Sequence, residues 1–304
     1  IAGLLDLGYA AFFAIGAYTY AYVASPFGNS IIGLPIVETL GNDTGGLLFW
    51  PMLLVGALVA AIFGILLGAP TLRLRGDYLA IVTLGFGEIT YLLLLNLDRP
   101  INITNGPSGI ISIDPPALLG HALSGNVQYY YLFLAVLALA LIAANRLQHS
   151  RVGWAWQAIR EDELAAAANG INTVAVLAAR AMGINTTVAK LQAFAIGASF
   201  AGFAGALLAS WQRSVFPENF LFTESINVLA MVIIGGMGSL AGVVLGAAVI
   251  VALPEIFREL AAYRMLVFGL MLMLLMIFRP QGILVPRAAP RPAASAGAAT
   301  AERS

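Results

Sequence analysis

Charge-free stretches dominate this chain: Leu7–Val37, Thr44–Leu72, Pro115–Asn145, Leu191–Gln212 and Ser225–Pro254 contain no Asp, Glu, Lys or Arg. A helix of about 20 predominantly apolar residues crosses the hydrocarbon of a bilayer, and each run is long enough to supply one. Composition agrees. The chain of 304 residues is 60% hydrophobic and 10% charged, against about 45–50% and about 25% in a typical soluble domain. Too few charged side chains are present to solvate a soluble body, so the sequence reads as a membrane protein. Two further stretches carry one charge each, Tyr78–Leu97 with Glu88 and Ala261–Phe278 with Arg264. Trimming at Gly, Pro and Asn predicts spans near 8–25, 48–70, 77–97, 128–146, 187–211 and 261–279.

The run 225–254 is interrupted by Gly235-Gly236-Met237-Gly238-Ser239. Each Gly inside a helix costs roughly 1 kcal/mol. Two readings fit, a pair of short helices turning at the glycines or one discontinuous, partly re-entrant element. Both return the chain to the side it came from. The expected fold is all-α, a polytopic transmembrane bundle of about seven to eight spans plus a short cytoplasmic helix. The chain starts at Ile1 with an apolar stretch already under way, so an upstream segment is expected.

Several functions are excluded early. The net charge is +0, from 15 basic and 15 acidic residues, which gives no field for nucleic acid. Cys is absent, removing disulfides and thiolate metal sites. His121 and His149 are too far apart in sequence for a local metal cluster, and no metal site is expected. A P-loop ends in Gly-Lys-Ser/Thr, but the one Lys, Lys190, lies between Ala189 and Leu191. If the protein works with ATP, the ATPase is another subunit. No catalytic triad or paired carboxylates are visible, and an enzyme is not expected.

Of the 15 basic residues, 11 fall in 71–76, 146–190 and 279–304, and the remainder are Arg99, Arg213, Arg258 and Arg264. By the positive-inside tendency, 146–190 and the C-terminus are expected in the cytoplasm. The tail 286–304, rich in Ala, Pro and Arg, is expected to be disordered.

Within 146–190, the stretch 151–170 carries an alanine run stopped by Gly170, and its charges Arg160, Glu161, Asp162 and Glu163 forbid membrane burial. An exposed helix with Trp154, Trp156 and Ile159 on one flank suits a helix-in-groove contact. It equally suits a helix lying on the membrane surface. Leu164–Val176 and Leu177–Ala189 then repeat at an offset of 13 with eight identities, both containing Gly-Ile-Asn-Thr. A local duplication adding a turn or loop accounts for this.

Glu88 stands halfway along 77–97, where an ionisable group costs roughly 2.5–3.5 kcal/mol on insertion scales and marks a functional candidate. Thr83, Gly85, Gly87 and Thr90 flank it with small and hydroxyl side chains. A carboxyl locking two helices by hydrogen bonds is the plainer account. Gly197, Gly202 and Gly205, like Gly242 and Gly246, are expected to let helices pack closely. Gly235, Gly236, Gly238 and Ser239 form a helix break whose freed backbone groups must line a cavity or be buried in protein. Together with Glu88, Thr83 and Gly87 they are the candidate translocation-pathway residues. Thr104-Asn-Gly-Pro-Ser-Gly109 reads as an outer turn.

Six segments carry a family resemblance: LDLGYAAFFAIGAY (5–18), LRLRGDYLAIVTLGFGEI (72–89), TNGPSGI (104–110), AIREDELAA (158–166), GGMGSLAG (235–242) and FRPQGIL (278–284). In this order they resemble the LivM-type permease subunit of branched-chain amino-acid ABC importers, from about residue 3 to 285. The resemblance implies a permease domain over 1–285, lacking the family's first helix, in the cytoplasmic (inner) membrane of a prokaryote. It implies four partners: a second, LivH-type permease, two cytoplasmic ATPases that bind ATP and Mg, and an external substrate-binding protein. No cofactor is implied in this chain. The stretch 151–170 then corresponds to the family's cytoplasmic coupling loop, with Trp154, Ile159, Arg160, Glu161, Asp162, Glu163, Ala166 and Gly170 facing an ATPase. The second Gly-Ile-Asn-Thr copy departs from the family pattern. Rival expectations are the same fold importing urea or short amides, a secondary carrier using Glu88 for proton coupling, and a membrane scaffold.

Overall fold

The computed structural model describes residues 6–28, 48–71, 77–99, 102–118, 121–123, 125–150, 152–153, 156, 186–236 and 238–256, with isolated positions between 269 and 278. Among the described residues seven α-helices form: α1 (Tyr9–Val23), α2 (Phe49–Thr71), α3 (Asp77–Asn96), α4 (Asn126–Gln148), α5 (Thr186–Gln212), α6 (Phe222–Gly235) and α7 (Leu240–Ile256). The protein is mostly helical. Phe49–Thr71, Tyr78–Asn96, Asn126–Gln148, Val188–Gln212 and Pro217–Gly235 are each long and apolar enough to cross a membrane. Helix α1, 15 residues long, rises only about 22 Å at 1.5 Å per residue. It is shorter than the predicted span 8–25 and falls short of about 30 Å of hydrocarbon. The predicted span 261–279, the tail 286–304 and the tandem repeat up to residue 185 lie largely or wholly outside the described residues.

The chain divides into two compact units, Ile1–Leu229 and Ala230–Ser304. In the first, α1, α2 and α5 pack together through their small residues. A Cβ placed on Gly16 would overlap the Gly202 backbone, and one on Gly205 would overlap the carbonyl of Phe13. One on Gly202 would collide with Ala60 and come within 2.7 Å of the Gly56 carbonyl. Without a hydrophobic drive between helices in lipid, such backbone approach supplies the packing energy. Above this seam, Tyr20, Phe49, Ile110, Ile113, Val215 and Phe220 form the main buried cluster. The Tyr20 and Phe49 rings meet edge to face at 5.7 Å.

One end of this unit is closed by the loop before α4. Strand β1 (Ile110–Ile111) pairs antiparallel with β4 (Ser214–Val215) beyond the C-terminus of α5. Strands β2 (Ala117–Leu118) and β3 (His121–Ala122) form a small hairpin. The Asp114 N–H donates to Ala24 O at 2.8 Å, just past α1. In return the Tyr20 hydroxyl donates to Asp114 O at 2.9 Å. The Thr104 hydroxyl donates to Leu94 O in the last turns of α3 at 2.7 Å. The C-terminal ends of α1, α3 and α5 therefore meet here. The starts of α2 and α4 are tied to the same end, by Trp50 Nε1 to Ala117 O at 3.2 Å and Tyr129 Oη to Ser210 O at 3.0 Å. The five helices therefore alternate in direction. Burial pushes the Asp114 carboxyl above its ordinary range, and the neighbouring Arg213 guanidinium partly draws it back.

In the second unit the glycine break resolves into two helices. Gly236 and Gly238 adopt φ of 104° and 99°, a region L side chains avoid. Helix α7 folds back so closely that a Cβ on Gly235 would overlap the carbonyl of Gly242, and one on Gly246 that of Met231. The stretch 225–254 thus forms two helices that turn at the glycines.

Candidate functional site

Helix α1 begins partway along α3. The Leu7 N–H donates to Thr83 Oγ1 at 3.0 Å, the Gly8 N–H to Asp6 Oδ1 at 2.8 Å, and the Ala10 N–H to Ser225 Oγ at 3.0 Å. A helix start leaves four N–H groups without intrahelical partners. Side chains from three separate segments satisfy donors at this start. Thr83 is wholly buried and passes its own proton to Ala80 O at 3.0 Å. Gly87, one turn on, faces the same place, where an added Cβ would stand 3.6 Å from the Gly8 Cα. Thr83 lies six residues into α3, roughly 9 Å along its axis. The start of α1 is thus held inside the bundle by α3 and by the first turn of α6.

Thr83 and Gly87 are therefore brought together, but Glu88 is not with them. It lies on the opposite side of α3 and is exposed, as are Ile81 and Leu92 above and below it. No described residue gives it a hydrogen bond or ion pair. The Thr83 hydroxyl, offered by the sequence as a partner for Glu88, is committed to Leu7 and Ala80.

The glycine break satisfies itself. The Gly236 N–H returns to Val232 O at 3.0 Å and the Ser239 N–H to Gly236 O at 3.2 Å. Ser239 Oγ accepts the Gly242 N–H at 3.1 Å, capping α7. Gly235 and Gly236 are buried, and Gly238 and Ser239 are half-buried.

Of the coupling candidates, Trp154, Ile159, Arg160, Glu161, Asp162, Glu163, Ala166 and Gly170 lie outside the described residues. Trp156 is described, and it does not sit on an exposed flank. It is 3% exposed, packed among Leu147, Val152, Ala193 and Ile196, with Nε1 donating to Ala189 O at 2.7 Å. An indole is large and apolar with one donor, so a site that satisfies that donor buries it. The segment leaving α4 is thereby fastened to the beginning of α5, at the end of the bundle opposite Asp114.

Sequence reasoning passed over Asp6, Ser225 and Trp156 as anchors. Asp6-Leu-Gly8 ahead of an apolar helix is a local capping signal and was legible. Ser225 reaches α1 across 215 residues and leaves no local trace. Among the described residues no group of three or more His, Asp or Glu could hold a metal ion.

Apolar helices of crossing length, alternating in direction and packed through glycines, define an integral membrane helix-bundle protein. The family model for the branched-chain amino acid transport system permease component matches residues 1–178 and 175–276. Its two pieces overlap within the tandem repeat. The high-affinity branched-chain amino acid transport system permease protein LivM of Salmonella typhimurium is 42% identical, over 100% of this chain and 68% of its own length. LivM of Escherichia coli K12 is 41% identical over the same shares. The permease protein LivH of Salmonella typhimurium is 30% identical over 50% of this chain and 44% of its own. No solved structure matches significantly. The chain belongs to the branched-chain amino acid transport permease family, whose members here are transport proteins and not enzymes.

Proposed function

We infer that this chain is the membrane-spanning permease of an ATP-driven importer that carries branched-chain amino acids into the cytoplasm by alternating access. The observation that carries the reading is similarity along the whole chain to two LivM permeases at 41% and 42% identity. The partners are a second, LivH-type permease, two cytoplasmic ATPases binding ATP and Mg, and an external binding protein. The protein resides in the inner membrane of a prokaryote, with 146–190 and the C-terminus in the cytoplasm, in keeping with the 11 basic residues of the cytoplasmic segments. Residues Trp154, Ile159, Arg160, Glu161, Asp162, Glu163, Ala166 and Gly170 receive the ATPase. Thr83, Gly87, Glu88, Gly235, Gly236, Gly238 and Ser239 serve the passage, Thr83, Gly87 and Ser239 by holding helix starts and turns in place.

Mechanically, an ATPase that moves the loop also moves α5, because Trp156 ties the two. Helix α5 packs on both α1 and α2. A push at the loop biases the bundle only if the loop contacts its ATPase differently in the two states.

The test is reconstitution of this chain with the four partners in proteoliposomes. Leucine, isoleucine or valine, delivered by the binding protein, is expected to stimulate ATP hydrolysis and accumulate inside. Stimulation by urea or short amides would replace the substrate. Uptake that survives without the ATPases and collapses with the proton gradient would replace the mechanism.

A further inference from the structure

We propose that the Glu88 side of α3 borders the solute passage rather than lipid, and that the Glu88 carboxylate binds the ammonium group of the transported amino acid. The proposal rests on the reading of this chain as an amino-acid permease. It begins with position. Glu88 is 11 residues beyond Asp77, the first residue of α3, or roughly 16 Å along the axis and near the centre of about 30 Å of hydrocarbon. At that depth an ionised carboxylate facing acyl chains is costly, and such groups face a bundle interior or a water-filled cavity.

The described residues give Glu88 neither. Helix α3 turns Leu79, Thr83 and Leu94 inward, all buried, while Ile81, Gly85, Glu88 and Leu92 recur at spacings of four, three and four on the other side. Ile81 is 64% and Leu92 48% exposed. Gly85 has open space where a side chain would stand, with nothing within 4 Å. The carboxylate thus stands on an accessible helix face beside an uncovered piece of backbone, with no hydrogen bond or ion pair from any described residue. A carboxyl group there, with no partner among the described residues, can be met by a cation from outside the chain.

The substrate supplies one. A branched-chain amino acid is a zwitterion with an apolar side chain, and it must cross this depth with its ammonium group partly stripped of water. An isolated carboxylate among Ile81 and Leu92 offers a charge-assisted hydrogen bond next to apolar surface. At the start of α1, Thr83, Asp6 and Ser225 already accept the N–H groups of Leu7, Gly8 and Ala10.

The chain has no Cys, so Glu88→Cys introduces the one thiol of this subunit, labelled in an importer assembled with Cys-free variants of its partners. Leu58→Cys on α2, at similar depth and 62% exposed, is the control. A membrane-impermeant cationic methanethiosulfonate is expected to modify position 88 at least about tenfold faster than position 58. In a Gly85→Cys variant, which keeps Glu88 and places the thiol in open space on the same face, leucine with binding protein and ATP is expected to slow the labelling, whereas the 2-hydroxy acid with the same side chain is not. Glu88→Gln is expected to lower saturated leucine uptake about tenfold or more, as for loss of a charged hydrogen bond, while Glu88→Asp retains most of it. Equal labelling at positions 88 and 58, or unchanged uptake by Glu88→Gln, would overturn the proposal. So would loss of the second permease on purification of Glu88→Gln, which would assign Glu88 to subunit packing. A wild-type importer that takes up no branched-chain amino acid would instead overturn the functional reading beneath it.

Discussion

The Trp156 indole donates to the Ala189 carbonyl at 2.7 Å, joining residues 33 apart in sequence where α5 begins. Trp156→Phe keeps the ring among Leu147, Val152, Ala193 and Ile196 and removes one hydrogen bond, a loss of about 1 kcal/mol. Trp156→Ala empties the site and is expected to cost about 3–5 kcal/mol. Thermal unfolding of the purified subunit in detergent checks both. In the reconstituted importer, Trp156→Ala is also expected to raise ATP hydrolysed per leucine imported.

Thr83 tests how the start of α1 is held. Thr83→Val preserves shape but leaves the Leu7 N–H without its acceptor, at a cost of about 1–3 kcal/mol. Thr83→Ser retains the hydroxyl and is expected to stay within about 1.5 kcal/mol of wild type. Equal melting temperatures for the two variants would remove Thr83 from this role.

Two glycines of α5, five residues apart, are expected to behave oppositely. Gly202→Ala places a methyl group against Ala60 and the Gly56 carbonyl. Overpacking of that kind costs about 1–3 kcal/mol, and more where backbone is the obstacle. Gly197 has nothing within 4 Å, so Gly197→Ala is expected to be neutral or to gain up to about 1 kcal/mol of helix propensity. Parallel denaturation curves measure the contrast.

The cap formed by the loop before α4 carries a pH dependence. Burial raises the Asp114 pKa above its unfolded value and Arg213 lowers it, so the folded cap favours the protonated acid. Stability from this group is full below the unfolded pKa, about 3.9, and declines as pH rises through the raised folded value. Arg213→Gln removes the compensating charge and is expected to destabilise more at pH 7 than at pH 4. Asp114→Asn, which keeps the backbone bonds to Ala24 and Tyr20, is expected to flatten the pH profile. Melting temperature against pH distinguishes the variants.

Much of the helical pattern was legible. The charge-free runs located α2, α4, α5 and the α6–α7 pair, since exclusion of charge from hydrocarbon acts on every residue of a span. Gly235–Ser239 announced a turn, and the motifs of residues 5–18 and 72–89 announced the family. The trimmed span 8–25 matched α1 to within two residues at each end, but what holds its start was not legible. Its apolar run continues to Val37, whereas its start is fixed by Asp6, Thr83 and Ser225, two of them distant in sequence. The grouping of Thr83 with Glu88 also came apart. Five residues on a helix amount to about 500° of rotation, which puts them on different faces.

By itself the sequence determined that this chain lives in lipid, where it breaks and which family it belongs to. Those properties are sums over local residues, and apolarity, glycine and motif order act without reference to distant partners. Only the tertiary structure decided that Trp156 is buried, that α1 starts inside the bundle and that Glu88 stands apart from Thr83. Each depends on which atoms meet across a fold: an indole donor finding a carbonyl, a helix start finding three acceptors, and a carboxyl group finding none among the described residues.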